Sequence, residues 1–340
     1  MSLLTTIYED EYEDKFVDAL ERNMCSAIPV IPQNLETCWF NAILMAMIYS
    51  DGLSKLVIKK VVDESWYTSR DKFKEILTIF VSYVFTIKLK KFESDYVNDI
   101  KSFQKYLETF TVEDLLNFYF SIYDDKLLPH IRHGFDVRYI YELLKKLNFN
   151  CYLITMNIRK QKLYENVIYN YESNLFIPYT DDLDKENPPD DLDKGFPPDI
   201  LLIEILNNLK IHMVHSSINY PETREINISD IGNKELNYRG NLYELDSILL
   251  TAIIKDDNYH AILGLTCNGG EYVYNGWKLD ANKPCKLMPF EWKTRFESFS
   301  LKKTSCGLIK GNKSFNFEKN ERIMVYIKKN VLPENSLSSI

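Results

Sequence analysis

Cys38 stands where a polar, turn-forming stretch gives way to large apolar residues. Pro32-Gln33-Asn34-Leu35-Glu36-Thr37 precedes it, and Trp39 to Ile48 follows as a run of good helix formers. The pattern predicts a loop feeding a buried helix, with the thiol at the helix N-terminus. Such a terminus carries roughly half a positive charge and free N–H donors, so it favours thiolate over thiol. A thiolate is a nucleophile at neutral pH.

A base and an orienting group lie far downstream. Tyr259-His260-Ala261-Ile262-Leu263-Gly264-Leu265 reads as a strand, Thr266-Cys267-Asn268-Gly269-Gly270 as a turn, and Glu271-Tyr272-Val273-Tyr274 as the return strand, ending in Asn275-Gly276-Trp277. Two strands joined by Asn-Gly make a hairpin, which brings its outer ends together. His260 and Asn275 therefore become neighbours. A cysteine, a histidine and an amide oriented toward that histidine form the constellation of a cysteine hydrolase. Asp280 is the other candidate orienter, and Asn275 is preferred. His130, His133, His212 and His215 are rival bases, but none heads a hairpin whose far end offers an amide or carboxylate.

The elements that must position these groups change type along the chain. Helical periodicity runs from about residue 37 to 147, over Asp71 to Ile87, Tyr96 to Thr109, Val112 to Tyr123 and Val137 to Leu147. From Cys151 the pattern turns to strands: Cys151 to Met156, Ile200 to Leu206, Glu225 to Ile228, Leu242 to Ile254, then the hairpin. Helices first and strands later predict an α+β fold. Residues 1–27 read as an acidic leader and 331–340 as a tail. Residues 28–330 read as one domain, helical over 28–150 and β over 151–330. Within 179–198, Asp181-Asp182-Leu183-Asp184-Lys185-Glu186-Asn187-Pro188-Pro189 is nearly repeated as Asp190 to Pro198. This acidic, Pro-rich segment should be a solvated loop, either a spacer or a clamp for a basic partner.

Bulk properties narrow the function. The chain has 340 residues, is 45% hydrophobic and carries a net charge of −8, so it can bury a large core and is a poor non-specific ligand for nucleic acid. Ile76 to Ile87 is the longest apolar run, too short to span a bilayer, so no membrane association is expected. The leader has no apolar core of the kind a signal peptide needs. Six cysteines without a Cys-x-x-Cys pair point to a reducing, cytoplasmic setting, and no cluster has metal-ligand spacing, so neither metal nor cofactor is expected.

Several ordered motifs resemble the ubiquitin-specific proteases, which are papain-like cysteine peptidases. Asn34 to Asn41 is similar to the family's cysteine box, Asn-Leu-Gly-Asn-Thr-Cys followed by an aromatic and Asn, but is one residue shorter. Gly134 to Leu144, with Asp136, resembles the Gln-Gln-Asp box. Pro198 to Ile203 resembles the strand the family introduces with Leu-Pro, and Tyr220-Pro221 ahead of Glu225 to Ile228 its Phe-Pro strand. Tyr243 to Leu249 resembles the strand before the catalytic histidine, and Arg322 to Tyr326 the closing strand. His260-Ala261-Ile262 and Asn275-Gly276-Trp277 also resemble the boxes of papain itself. The zinc-binding fingers lack their cysteines, and 278–321 is a long insertion. The composition resembles proteins encoded by large DNA viruses with AT-rich genomes, which implies host cytoplasm or virion.

The resemblance implies a papain-like fold with a helical, thumb-like lobe and an antiparallel β, palm-like lobe. It implies cleavage after the C-terminal glycine of ubiquitin or a ubiquitin-like modifier, which would be the partner. Cys38 would attack, His260 would move the proton and Asn275 would orient the imidazole. Gln33 or Asn34 would supply the oxyanion-hole amide, with Asp136, Tyr259 and Trp277 near the substrate. Two other classes stay open: an endopeptidase that processes a polyprotein, and an inactive ubiquitin-binding or assembly scaffold.

Overall fold

The computed structural model describes residues 25–26, 28–31, 38–89, 96–107, 109, 137–157, 161–165, 167–170, 175–178, 197–206, 223, 225–255, 258–276, 286–293, 298–300 and 314–329. The chain divides into two compact units. The first takes residues 1–135, 251–316 and 334–340; the second takes 136–250 and 317–333.

In the first unit, α1 (Cys38–Tyr49) is buried at every position. A helix apolar on all sides cannot face water and becomes the centre of its core. α2 (Leu53–Asp63) buries Leu53, Leu56, Val57 and Val61, spaced three and four apart, and leaves Lys55 and Asp63 exposed. α3 (Lys72–Leu89) starts where the Asp71 carboxylate accepts the N–H groups of Phe73 (2.9 Å) and Lys74 (3.3 Å), an N-cap. Its stripe of Phe73, Ile76, Leu77, Phe80 and Val84 is buried, and Lys88 donates to the Tyr49 carbonyl at the end of α1 (2.9 Å). α4 (Tyr96–Leu107) stacks Phe103 and Tyr106 against Phe80 and Tyr83. α1 packs on both α2 and α3.

The same unit holds the hairpin of β8 (Asn258–Cys267) and β9 (Gly270–Tyr274). Asn268 and Gly269, at φ 49° and 67°, form its two-residue turn. Both central residues need positive φ, and Asn-Gly supplies them at little cost. β10 (Met288–Pro289) pairs with β9, and Trp292 donates to the Leu265 carbonyl at 3.1 Å. β11 (Ser298–Ser300) and β12 (Ser314–Asn316) form a small ribbon with Phe299 opposite Phe315. A disulfide joins Cys25 to Cys267, fixing the segment before α1 to the end of β8. Neither its existence nor its pairing was visible in the cysteine spacing, and such bonds persist in oxidising surroundings.

In the second unit, α5 (Val137–Lys146) ends at Asn148, whose φ of 60° lets the Phe149 N–H turn back to the Leu144 carbonyl at 2.9 Å. β1 (Cys151–Asn157) follows, paired with β2 (Lys162–Glu165). β3 (Val167–Asn170) and β4 (Leu175–Pro178) form their own hairpin. β5 (Ile200–Leu206) lies beside β1, β13 (Arg322–Lys328) beside β5, and β7 (Asn241–Lys255) beside β13, with β6 (Glu235–Tyr238) on β7. β7 passes from the second unit into the first after Leu250.

The α+β reading holds as helices preceding a mixed sheet. An all-antiparallel β region does not: β1 and β5 run parallel, Cys151 opposite Ile200. Both strands are buried at every residue, as parallel interior strands are. Glu225 to Ile228 is not a strand either. The Asn227 side chain accepts the Ser229 N–H and starts a 3₁₀ turn over Ile228–Asp230, so a local side-chain bond replaces the ladder. The helix expected over Val112 to Tyr123 and most of the acidic repeat, residues 181–196, lie outside the described residues.

Candidate active site

Three expected residues, Cys38, His260 and Asn275, belong to the first unit. Cys38 is the first residue of α1 and is buried. His260 lies near the start of β8, and Asn275 directly follows β9.

The hairpin register explains why the last two meet. Leu263 lies opposite Tyr274. One further step sets Asn275 opposite Ile262, two residues from His260 and on the same side of the ribbon. His260 Nε2 and Asn275 Oδ1 are 2.9 Å apart, both side chains buried. A carbonyl oxygen only accepts, so Nε2 carries the proton and Nδ1 keeps its lone pair.

Burial pushes the His260 imidazole down to a pKa of about 4, with the Asn275 bond opposing the shift. Phe315 contributes to the burial: its ring meets the imidazole edge-on, centroids 6.0 Å apart. At neutral pH His260 is thus an uncharged acceptor, suited to take a proton from a thiol.

The placement of Cys38 follows from how α1 lies on the hairpin. α1 packs against β8. At its far end, the Asp51 N–H donates to the Thr266 carbonyl (3.0 Å), and the Asp51 carboxylate accepts the N–H groups of Asn268 (2.7 Å) and Gly269 (2.9 Å). Counted back from this pin, the helix from Asp51 to Cys38 and the strand from Thr266 to His260 each span about 20 Å. α1 and β8 are thus tied at the Asp51 end and reach similar distances from that tie, α1 toward Cys38 and β8 toward His260. A second tie joins the hairpin to α1: the Asn41 side chain hydrogen-bonds the Tyr274 hydroxyl, one residue before Asn275.

The other expected residues are not brought to this geometry. Gln33, Asn34, Asp136, Trp277 and the alternative orienter Asp280 lie outside the described residues, as do His130, His133, His212 and His215. Tyr259 is described only as backbone within β8. Among the described residues no His, Cys, Asp or Glu group could hold a metal, and no single helix is long and apolar enough to cross a membrane.

Sequence reasoning missed Tyr274, Phe315 and Asp51. Asp51 left a signal: a carboxylate just past a helix C-terminus opposes the helix dipole and must answer to another partner. Phe315 left none, because it comes from a separate ribbon in the insertion.

No protein-family model and no curated protein matches the sequence. Among solved structures, the chain is similar to the SAGA DUB module Ubp8/Sgf11/Sus1/Sgf73 bound to monoubiquitin, at 10% identity and TM-score 0.38, covering 96% of this chain and 74% of that one. Another structure of the module matches at 11% identity and TM-score 0.33, covering 96% and 73%. Likeness at this level carries no argument about mechanism.

Proposed function

We propose that the chain is a thiol-dependent hydrolase of the ubiquitin-specific-protease type, cleaving the bond after the C-terminal glycine of ubiquitin or a ubiquitin-like modifier. The observation that carries the reading is the buried 2.9 Å hydrogen bond from His260 to Asn275, in the unit whose central helix begins with Cys38. The ordered sequence motifs supply the substrate class.

The chemistry follows from the groups present. The Cys38 sulfur attacks the scissile carbonyl while its proton passes to His260 Nδ1. Asn275 holds the ring so that Nδ1, not Nε2, is the acceptor. The tetrahedral oxyanion is met by the Cys38 N–H and by the side-chain amide of Gln33 or Asn34; one such donor is worth about 10² to 10³ in rate. The imidazolium protonates the leaving amine, and the bond to nitrogen breaks. Water then hydrolyses the thioester, His260 taking its proton, and the thiol is regenerated.

Hydrolysis of a ubiquitin C-terminal fluorogenic amide tests the reading against its rivals. Turnover by the wild-type chain and none by Cys38→Ala supports it. Cleavage of unmodified proteins without turnover of the ubiquitin amide would mean an endopeptidase with a wider cleft. No turnover of either substrate would leave a scaffold.

A further inference from the structure

Tyr274 is buried and lies at the junction of three pieces of the first unit. Its hydroxyl donates to the Ile31 carbonyl at 2.6 Å, in the segment that leads toward the cysteine loop. The Asn41 side chain hydrogen-bonds the same hydroxyl. Asn41 is three residues after Cys38, on the adjacent turn of α1. Covalently, Tyr274 is the residue before Asn275. One hydroxyl thus joins the chain before the nucleophile, the helix that presents it, and the strand that presents the orienter.

We propose that Tyr274 is a positioning residue for the reaction, its hydroxyl holding the first turns of α1 against the end of β9 so that Cys38 stays aligned with His260 and Asn275. The proposal rests on the reading of Cys38 as nucleophile. Burial holds the phenol far above the usual tyrosine range against the opposing Asn41 bond, so it stays protonated and keeps its donor. A neutral donor can fix geometry near a reacting group without taking part in its proton transfer. A displacement of about 1 Å between nucleophile and base is enough to cost on the order of 10²-fold in rate.

Tyr49 provides a matched control. Its hydroxyl is also buried and also donates to a carbonyl of the segment before α1, that of Pro29. It sits about three turns beyond Cys38 on the same helix. Tyr274→Phe and Tyr49→Phe each remove one buried hydroxyl and keep the ring, so both should lower the melting temperature.

The test is alkylation of Cys38 by iodoacetamide at neutral pH in the full chain, followed by peptide mass mapping, alongside thermal melts. Wild type should react far faster at Cys38 than the unfolded chain does. Tyr274→Phe should react at least about tenfold more slowly than wild type, while Tyr49→Phe should keep the wild-type rate despite its melting loss. A wild-type rate in Tyr274→Phe, or equal slowing in both variants, overturns the positioning role and leaves the nucleophile reading standing. Wild-type Cys38 reacting like an unfolded thiol overturns both.

Discussion

Acidification should weaken the fold at His260. Burial moves this imidazole from its ordinary value of 6.5 down to about 4. Between those values the unfolded chain binds a proton that the folded chain refuses, so stability falls as pH falls. The contribution is fully present above the unfolded value and is lost as pH drops through the window toward the folded one. Taking the shift at face value, the loss between about pH 7.5 and about pH 4.5 is about 2.5 kcal/mol, a large share of a typical stability. Other groups titrate in that range, so the assay is a difference. Urea unfolding of wild type and His260→Gln is followed at both pH values. Glutamine is polar and does not titrate, so the variant should lose about 2.5 kcal/mol less than wild type. Equal losses would refute the argument and mean that water reaches His260.

Asn275→Ala should lower kcat by about 10²-fold while leaving a residual rate above that of Cys38→Ala, because the base remains but its ring is free to turn; steady-state kinetics on a ubiquitin amide would show it, and an unchanged kcat would remove Asn275 from the mechanism. Phe315→Ala opens the imidazole to water and should raise the His260 pKa from about 4 toward 6.5. Titration of the ring proton by NMR reads this, and an unmoved pKa would mean that other groups provide the burial. Asp51→Ala deprives the Asn268 and Gly269 N–H groups of their acceptor and should cost about 1 kcal/mol in thermal or urea unfolding. No change would show that the hairpin turn holds itself.

What could be read in the sequence was what local pattern determines. α1 followed from an apolar run broken only at Asn41, and the meeting of His260 with Asn275 followed from an Asn-Gly turn whose two residues fix the register. Pairings between distant segments were not legible. Cys151 to Asn157 and Ile200 to Leu206 are apolar throughout, a pattern that suits a buried strand of either direction, so their parallel alignment left no mark. The Cys25–Cys267 bond spans 242 residues and has no spacing signature. At Glu225 to Ile228 the alternation suggested a strand, but the side chain of Asn227 offered the backbone a nearer partner. Tyr274 looked like one more strand aromatic; only the placement of Ile31 and Asn41 around its hydroxyl distinguishes it from Tyr272.

The proposed chemistry makes Cys38 the nucleophile and His260 its base. The most direct test is covalent capture by ubiquitin bearing an electrophile in place of its C-terminal carboxylate, with the adduct mapped by peptide mass spectrometry. One ubiquitin per chain should attach, at Cys38, with capture abolished in Cys38→Ala and strongly slowed in His260→Gln. Attachment at another cysteine, or capture that proceeds at the wild-type rate without His260, would contradict it.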